Sequence, residues 1–268
     1  MKLLATTLLL LSISGICSAC DKPFMLNVGV VPWASAQFNH VWASRINNHL
    51  KPYCIKGRFS SAKNFHEFIN KVLNGQFDVV NVPPNIGSYL MTLHKMPAIA
   101  MEDWQAELYI IVQNSSDIHT LSHINNAAVA LPDPLSMVSM IATPIVQPYS
   151  KNLQYYSHHN AVFKSVLDSS SQVGAIISPI YNSLKAIHQK RIRIIYKETK
   201  NLPGLLINSN QLTKQRSDEL FNALSTFDNG NSRIWQKWLK PNQQDLQQLH
   251  QEQADYVEKI SEYLKLNQ

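Results

Sequence analysis

The chain has 268 residues, of which 45% are hydrophobic and 16% are charged, and its formal net charge is +6 at pH 7. This composition is typical of a packed globular protein and excludes an intrinsically disordered chain. The positive charge allows an anionic partner, but an isoleucine interrupts the densest basic patch, at residues 190–193, which argues against nucleic-acid binding.

The first 19 residues have the layout of a secretory signal peptide. A short positive start at residues 1–2 is followed by an apolar run at residues 3–13, and small residues at 18–19 precede Cys20. The apolar run is too short to span a bilayer. We therefore expect an exported, periplasmic protein from which residues 1–19 have been removed.

Cys20 and Cys54 remain after such a cleavage. An even pair in an oxidising compartment predicts a disulfide. An alternative stays open, because Cys17-Ser18-Ala19-Cys20 partly resembles a bacterial lipobox, in which Cys20 would be acylated and would anchor the protein to a membrane. A leucine is usual where this sequence has Cys17. No spacing of His and Cys predicts a metal site, and we expect no cofactor.

Strands and amphipathic helices alternate from residue 26 onward. A strand is predicted over residues 26–31, and Ser35 can cap the helix after it, whose apolar residues are spaced three or four apart. The next helix has an apolar face between Phe65 and Leu73 and is predicted to end at Gly75. A strand follows over residues 77–82, and Asn85 can cap the third helix.

The second half of the chain continues this alternation. Further strands are predicted over residues 107–113, 127–131, 174–177, 191–196 and 205–207, and helices over 135–146, 217–227 and 251–264. The most apolar of these stretches, residues 127–146, carries Asp133, Pro134 and Pro144, which a bilayer tolerates poorly. This order predicts an α/β fold with largely parallel sheets covered on both faces.

Five short segments carry a resemblance to a known family. They are Val28–Pro32, Gly75–Val80 followed by Pro83-Pro84, Tyr109–Val112 followed by Asp117-Ile118, Asp133–Ser136, and Ser157–Ala161. In this order and spacing they resemble the phosphonate- and phosphite-binding (PhnD-type) branch of the type II periplasmic solute-binding proteins of ABC transporters. The resemblance covers most of the chain after residue 19.

The resemblance implies a two-lobed type II periplasmic binding protein fold. Each lobe would be a mostly parallel sheet flanked by helices, and two hinge strands would join the lobes. The first lobe would hold residues 20–111 and 204–268, and the second lobe would hold residues 112–203. Such proteins capture a solute by hinge closure and pass it to a membrane permease.

The helix after Asp133 is the predicted anion site, because the N–H groups and the dipole at a helix N-terminus favour an anion. Family members place a Ser-Thr-Ser trio there. Ser136 matches the first serine when counted from Asp133, and Ser139 matches the last when counted back from Pro144. Both assignments stay open, as does the reading in which these serines only cap the helix. In either register the middle of the trio is apolar.

Other candidate ligand-binding residues follow from the same resemblance. His159 matches the family's ligand histidine, a donor that can carry positive charge toward an anion, whereas we expect His158 at the surface. Phe65 aligns roughly with a ligand-binding tyrosine and can offer only packing. Tyr89 is expected on a helix whose start faces the cleft, and Trp33 at the cleft mouth. Core packing is the alternative role for Phe65 and Tyr89.

The predicted function is that of an exported solute-binding protein of an ABC-type uptake system, which holds a phosphonate-, phosphite- or phosphate-like oxyanion between its lobes. Ile177 stands where some members have the acid that pairs with an aminoalkyl group, so we expect a smaller or more apolar anion. An enzyme is not expected, since neither Gly-x-Ser-x-Gly nor His-Glu-x-x-His occurs. The alternative function is a monomeric ligand sensor of the same fold that partners a membrane signalling protein instead of a permease.

Overall fold

The computed structural model describes residues 20, 22–102, 105–227 and 237–267, whose strands form two sheets. The predicted signal peptide lies outside the described residues. The strands are β1 (Phe24–Val30), β2 (Ile55–Ser60), β3 (Val79–Val82), β4 (Ala98–Glu102), β5 (Gln105–Gln113), β6 (Val129–Leu131), β7 (Leu153–Tyr155), β8 (Val173–Ile177), β9 (Ile192–Asn201), β10 (Leu205–Asn208) and β11 (Trp238–Leu239).

The helices lie between these strands. They are α1 (Ala36–Leu50), α2 (Phe65–Leu73), α3 (Pro84–His94), α4 (Met137–Val146), α5 (His159–Leu167), α6 (Ser178–Ser183), α7 (Ala186–Gln189), α8 (Lys214–Ser225) and α9 (Gln243–Leu266). In the part of the chain that the structure describes, none of them combines the length and the apolar character that a membrane span requires.

The first sheet, of six strands, has the order β11-β4-β10-β3-β1-β2. Strand β1 pairs in parallel with both β2 and β3, and β10 lies antiparallel between β3 and β4. We call the first lobe the part of the described chain that carries this sheet, which is residues 22–102 together with residues 205–227 and 237–267.

The second sheet, of five strands, has the order β7-β6-β8-β5-β9. Strand β6 pairs in parallel with β7 and β8, whereas β5 is antiparallel to β8 and to β9. The second lobe is therefore one continuous segment, residues 105–201. The chain enters it between β4 and β5 and leaves it between β9 and β10.

The predicted α/β alternation is confirmed, but the prediction of mostly parallel sheets is corrected, because both sheets are mixed. The antiparallel pairs arise where the chain changes lobes: β5 enters the second sheet antiparallel to β8, and β10 returns antiparallel to β3. The expected boundary at residue 111 falls inside β5 of the second sheet, whereas the expected boundary at residues 203–204 falls between β9 and β10.

Local sequence explains where the helices begin and end. Ser35 caps α1 by accepting a hydrogen bond from the N–H of Phe38, and Asn64 caps α2 in the same way through Glu67. Helix α2 ends before Gly75, whose φ of 68° is the left-handed conformation that glycine adopts without steric cost. This is the end that the sequence predicts.

Cys20 and Cys54 are joined by a disulfide, with their Cα atoms 5.5 Å apart. Cys54 immediately precedes β2, and its carbonyl accepts a hydrogen bond from the N–H of Phe24 at 2.7 Å. The bond therefore fastens the start of the described chain to the β1–β2 edge of the first sheet.

Candidate functional site

A cavity of about 80 Å³ lies between the lobes, which is room for a solute the size of a few water molecules. Residues of both lobes line it, and most of them are apolar. They are Val30, Val31, Trp33, Asn39, Trp42, Phe65, Asn81, Val82, Pro83, Pro84, Glu102, Ser136, Met137, Val138, His159, Ile177, Leu202 and Gly204.

Four helices begin at this cavity: α2 at Phe65, α3 at Pro84, α4 at Met137 and α5 at His159. Two of them belong to each lobe. The N-terminus of each helix has N–H groups without partners in the helix and carries the positive end of the helix dipole. The cavity is therefore favourable for an anion although its side chains are mostly apolar.

The N-terminus of helix α4, like that of α3, has no side-chain cap. Its N-cap residue, Ser136, makes no capping hydrogen bond with its side chain. Met137 and Val138, the first two residues of the helix, both line the cavity, and N–H groups at these positions have no partner within the helix. The predicted anion site at the start of α4 therefore lies at this cavity.

The structure separates the two candidate serines. Ser136 lines the cavity, whereas Ser139 does not. The hydroxyl of Ser139 donates to the carbonyl of Pro132 at 2.8 Å, and the residue is buried. Ser139 therefore holds the turn that leads into α4, and Ser136 is the serine placed to meet a ligand.

His159 lines the cavity and is only 3% exposed. Its backbone N–H donates to the carbonyl of Trp33 in the other lobe, at 3.3 Å, while its Nδ1 has no partner among the described residues. Burial, with a smaller contribution from the charge of His158, lowers the pKa of His159 to about 3. The imidazole is therefore neutral at physiological pH and offers a hydrogen bond, not the positive charge expected from the sequence.

His158 was expected at the surface, but the structure places it half-buried at the start of α5. Its Nδ1 accepts a hydrogen bond from the N–H of Ala161 at 3.1 Å and caps α5. Burial also lowers the pKa of His158, so the neutral ring that this cap requires is favoured. The side chain fixes the start of the helix that carries His159.

The three aromatic candidates have different positions. Trp33 lines the cavity and meets Phe38 edge-on, with ring centroids 5.1 Å apart. Phe65 also lines the cavity and belongs to the core of the first lobe. Tyr89 lies outside the cavity lining, because it is farther along α3 and its hydroxyl pairs with Nε2 of His94 at 3.2 Å.

Polar residues that the sequence did not predict also line the cavity. Asn81, in β3, has a buried Nδ2 without a partner in the described structure, and Asn39 comes from the first turn of α1. The only sequence signal for Asn81 is its polar side chain inside an apolar strand that runs into Pro83-Pro84.

The prediction that Asn85 caps α3 is wrong, because Pro83 is the N-cap residue and Asn85 lies within the helix. Its side-chain amide instead donates to the carbonyl of Leu135 in the second lobe, at 2.9 Å. Asn85 therefore joins the lobes beside the cavity.

Glu102 is the acid in the cavity wall. It is the last residue of β4, and burial raises the pKa of its carboxyl to about 7, while the N–H of Gly204 partly opposes that shift. Neither Lys nor Arg occurs among the described residues that line the cavity. The carboxyl of Glu102 lies so close to Gly204 that a Cβ there would displace it.

The lobes are in direct contact beside the cavity. The N–H of Ser35 donates to Oδ1 of Asn160 at 3.1 Å, and the N–H of Phe65 donates to Oδ2 of Asp133 at 3.2 Å. Leu135 of the second lobe packs in the apolar core of the first. These contacts, together with that of Asn85, describe a closed cleft.

Comparison with solved structures shows the type II periplasmic binding protein fold. PhnD1 from Prochlorococcus marinus, in complex with methylphosphonate, has a TM-score of 0.74 at 12% identity over 90% of this chain and 99% of its own. A binding protein component of an ABC phosphonate transporter from Pseudomonas aeruginosa has a TM-score of 0.70 at 13% identity, over 91% and 99% of the two chains. The periplasmic binding protein BugD has a TM-score of 0.67 at 10% identity, over 89% and 97%.

A comparison with curated proteins gives no significant match. The family model for the periplasmic substrate-binding protein of phosphonate ABC transporters, in contrast, matches residues 29–256. This range includes every residue that lines the cavity, the whole second sheet and all of the first sheet except the start of β1. The chain therefore belongs to the family of periplasmic substrate-binding proteins of phosphonate ABC transporters.

Proposed function

We propose that this protein captures a small oxyanion of the phosphonate, phosphite or phosphate class in the cavity between its lobes and delivers it to an ABC permease. The observation that carries the proposal is the meeting of four helix N-termini at one cavity, next to the unpaired Nδ1 of buried His159. A second, independent support is the family to which the chain belongs.

The anion would be held by dipoles and hydrogen bonds without a salt bridge. The N–H groups of Met137 and Val138 would bind its oxygens, with the Ser136 hydroxyl beside them. Neutral His159 and the Nδ2 of Asn81 would add hydrogen bonds from opposite lobes. Because both lobes contribute, a bound anion would favour the closed form over the open one.

The apolar part of the cavity would accommodate a short alkyl group or a hydrogen atom bonded to the phosphorus of the anion. Ile177 and Leu202 line this part together with the ring of Trp33. The small volume favours a compact solute, and the methylphosphonate complex of PhnD1 supports the same size class.

The place of action would be the periplasm, which the protein would reach through the signal peptide at residues 1–19 and where it would act as a monomer. The signal peptide's layout and the family support this placement. The protein would bind and release its solute unchanged, as a carrier and not as an enzyme.

Isothermal titration calorimetry with methylphosphonate, phosphite, phosphate, sulfate and acetate tests the proposal. We expect methylphosphonate or phosphite to bind most tightly, with acetate much weaker because it has one oxygen fewer for the N–H groups. At a hundred times its dissociation constant, the best ligand should stabilise the fold by about 2.7 kcal/mol. The proposal fails if acetate binds best or if none of the five anions binds.

The role of the α4 N-terminus can be tested separately. Replacement of Val138 by proline would remove one N–H group at the second position of the helix, where the proline ring is sterically tolerated. We expect at least tenfold weaker binding of methylphosphonate, since hydrogen bonds to charged groups contribute about 1.5–3 kcal/mol. The control is Gln215→Pro, the same change at the second position of α8, which lies outside the cavity lining.

A further inference from the structure

Glu102 is the one polar group of the cavity wall that conflicts with the proposed function. Glu102 lines the same small cavity as the helix N-termini that would hold the oxyanion, and its carboxyl lies against Gly204, another lining residue. If Glu102 were ionised, two negative charges would share a space that holds only a few water molecules. Glu102 is only partly exposed, and such repulsion is stronger in a partly buried site than in open water.

The surrounding residues do not neutralise Glu102. Gly204 supplies a backbone N–H, and the other ionisable side chain that lines the cavity is the neutral His159. The charged residues on and beside the elements that pack against β4 lie on α8 and next to β11; they are Lys214, Arg216, Asp218, Glu219, Lys237 and Lys240. None of these charges contributes to the shift of the Glu102 pKa.

Four of those charges are already paired with each other. Arg216 contacts Glu219 at 2.7 Å, and Lys240 contacts Asp218 at 3.0 Å, all of them at the surface of the first lobe. Lys214 and Lys237 likewise make no contribution to the Glu102 pKa, so among the described residues no cation holds Glu102 ionised. A proton is then the simplest way to remove its charge when an anion enters.

We propose that anion binding is coupled to uptake of a proton by Glu102, so that the neutral carboxyl is the form in which the closed cavity accepts the oxyanion. This inference rests on the proposed function and adds a condition to it, namely that Glu102 is neutral when the oxyanion is bound. The proton comes from the solvent and goes to a carboxylate oxygen of Glu102; no other bond changes. The neutral group can also donate a hydrogen bond, which an ionised carboxylate cannot.

The raised pKa of the free protein is consistent with this role. Because burial brings the Glu102 pKa to about 7, the carboxyl is partly protonated at neutral pH, and an anion has only to complete the protonation. His159, with a pKa of about 3, keeps its neutral form throughout the range in which Glu102 titrates. The two groups can therefore be separated by pH.

The test compares methylphosphonate binding to the wild type and to Glu102→Gln between pH 5.5 and 8.5. Glutamine imitates the neutral carboxyl, so both proteins should bind alike at pH 5.5. By pH 8.5 the wild type should have lost about thirtyfold in affinity relative to Glu102→Gln, as a pKa of about 7 requires. The ionisation of methylphosphonate affects both proteins equally and cancels in the ratio.

The matched control is Glu107→Gln, since Glu107 is paired with Lys197 on the second sheet and lies outside the cavity lining. Its affinity ratio to the wild type should not change with pH. A measurement without substitution is the ¹³C shift of the Glu102 carboxyl in the wild type, whose titration midpoint should rise when methylphosphonate is added.

Three outcomes overturn the proposal. An affinity ratio that is constant with pH, or a Glu102 midpoint that does not rise, would show that no proton is coupled to binding. A preference for 2-aminoethylphosphonate over methylphosphonate that disappears in Glu102→Gln would show an ionised Glu102 paired with an ammonium group. If methylphosphonate and the other anions fail to bind the wild type at any pH, the proposed function itself fails.

Discussion

The carboxylate of Asp133 in the second lobe accepts a hydrogen bond from the N–H of Phe65, the first residue of α2 in the first lobe, at 3.2 Å. The same carboxylate accepts from the N–H of Leu135 at 2.9 Å, which shapes the turn before α4. One side chain of the protein thus occupies the N-terminus of one helix at the cleft and positions the start of another. It is an internal anion that holds the lobes together.

Replacement of Asp133 by asparagine should weaken the closed form. The amide keeps the size of the side chain but loses the negative charge at the N-terminus of α2, which is worth about 0.3–1 kcal/mol and more where the site is partly buried. We expect roughly three- to tenfold weaker binding of the best oxyanion, since about 1.4 kcal/mol is a tenfold change. Calorimetry measures the affinity. Small-angle X-ray scattering of the unliganded proteins should show a larger radius of gyration for Asp133→Asn than for the wild type.

Asp168→Asn is the control for this change. Asp168 is an exposed carboxylate whose hydrogen bonds go to the nearby Ser170 within the second lobe. It should leave both the affinity and the radius of gyration unchanged. If Asp133→Asn behaves in the same way, the contact between Asp133 and Phe65 does not contribute to closure.

Replacement of His159 by alanine should weaken binding of the best oxyanion by about ten- to a hundredfold, because a hydrogen bond to a charged group contributes roughly 1.5–3 kcal/mol. The unpaired Nδ1 in the cavity is the group removed. Calorimetry at pH 7 measures the loss. An affinity equal to that of the wild type would exclude His159 from the site.

The neighbouring His158 is not a suitable control, since its Nδ1 caps α5. His158→Ala should cost about 1 kcal/mol of stability, as the loss of a helix cap does, and would disturb His159 indirectly. The exposed His119 of the second lobe is a better choice. His119→Ala should match the wild type in both binding and melting temperature.

The stability of the fold should fall as the pH is lowered from about 6.5 to 3. Burial lowers the pKa of His159 to about 3, so protons bind preferentially to this residue in the unfolded chain over that range. Its contribution to the free energy of unfolding is complete above pH 6.5 and is lost by up to about 1.4 kcal/mol for each pH unit below it. Urea denaturation at several pH values, with His159→Gln alongside, isolates this contribution. Equal pH dependence in the two proteins would contradict the lowered pKa.

The state of Cys20 decides how the protein is held after export. A sulfur atom joined to Cys54 cannot also carry a lipid, so the disulfide and the lipid anchor exclude each other. We expect non-reducing peptide mapping of protein taken from the envelope to recover the two cysteines in one linked fragment, and reduction to cost roughly 2–4 kcal/mol of stability. An acyl mass on Cys20 with a free Cys54 thiol would establish the lipobox reading instead.

Local patterns in the sequence predicted three of the four helices that begin at the cavity, whereas α5, which carries His159, was not predicted. The spacing of apolar residues gave α1 and α2, and turn residues such as Gly75 gave their ends. The same reasoning identified the start of α4, because a helix N-terminus after Asp133 is visible in sequence. The family resemblance, in contrast, implied the ligand-binding residues: Ser136, His159, Phe65 and Trp33 line the cavity, whereas Ser139 and Tyr89 do not.

Contacts between distant residues could not be predicted in this way. Glu102 and Gly204 are about a hundred residues apart and meet only because β4 and β10 pair in the first sheet. Tyr89 was assigned to the cleft by its helix alone, but the helical turn places its hydroxyl beside His94 instead. The mixed sheets were missed for a related reason, since periodicity within a strand does not report the direction of its neighbour.

The position of β10 has a consequence for the order in which the chain folds. Strand β10 separates β3 from β4, so the first sheet stays incomplete until residues 205–208 are available, long after β1–β4 have been synthesised. The second sheet needs only the continuous segment 105–201, and each of its pairings is shorter in sequence, and costs less loop entropy, than the pairings of β10 with β3 and β4. The second lobe is therefore expected to fold first. The first sheet remains without its link between β3 and β4 meanwhile, which delays completion of the first lobe until most of the chain is available.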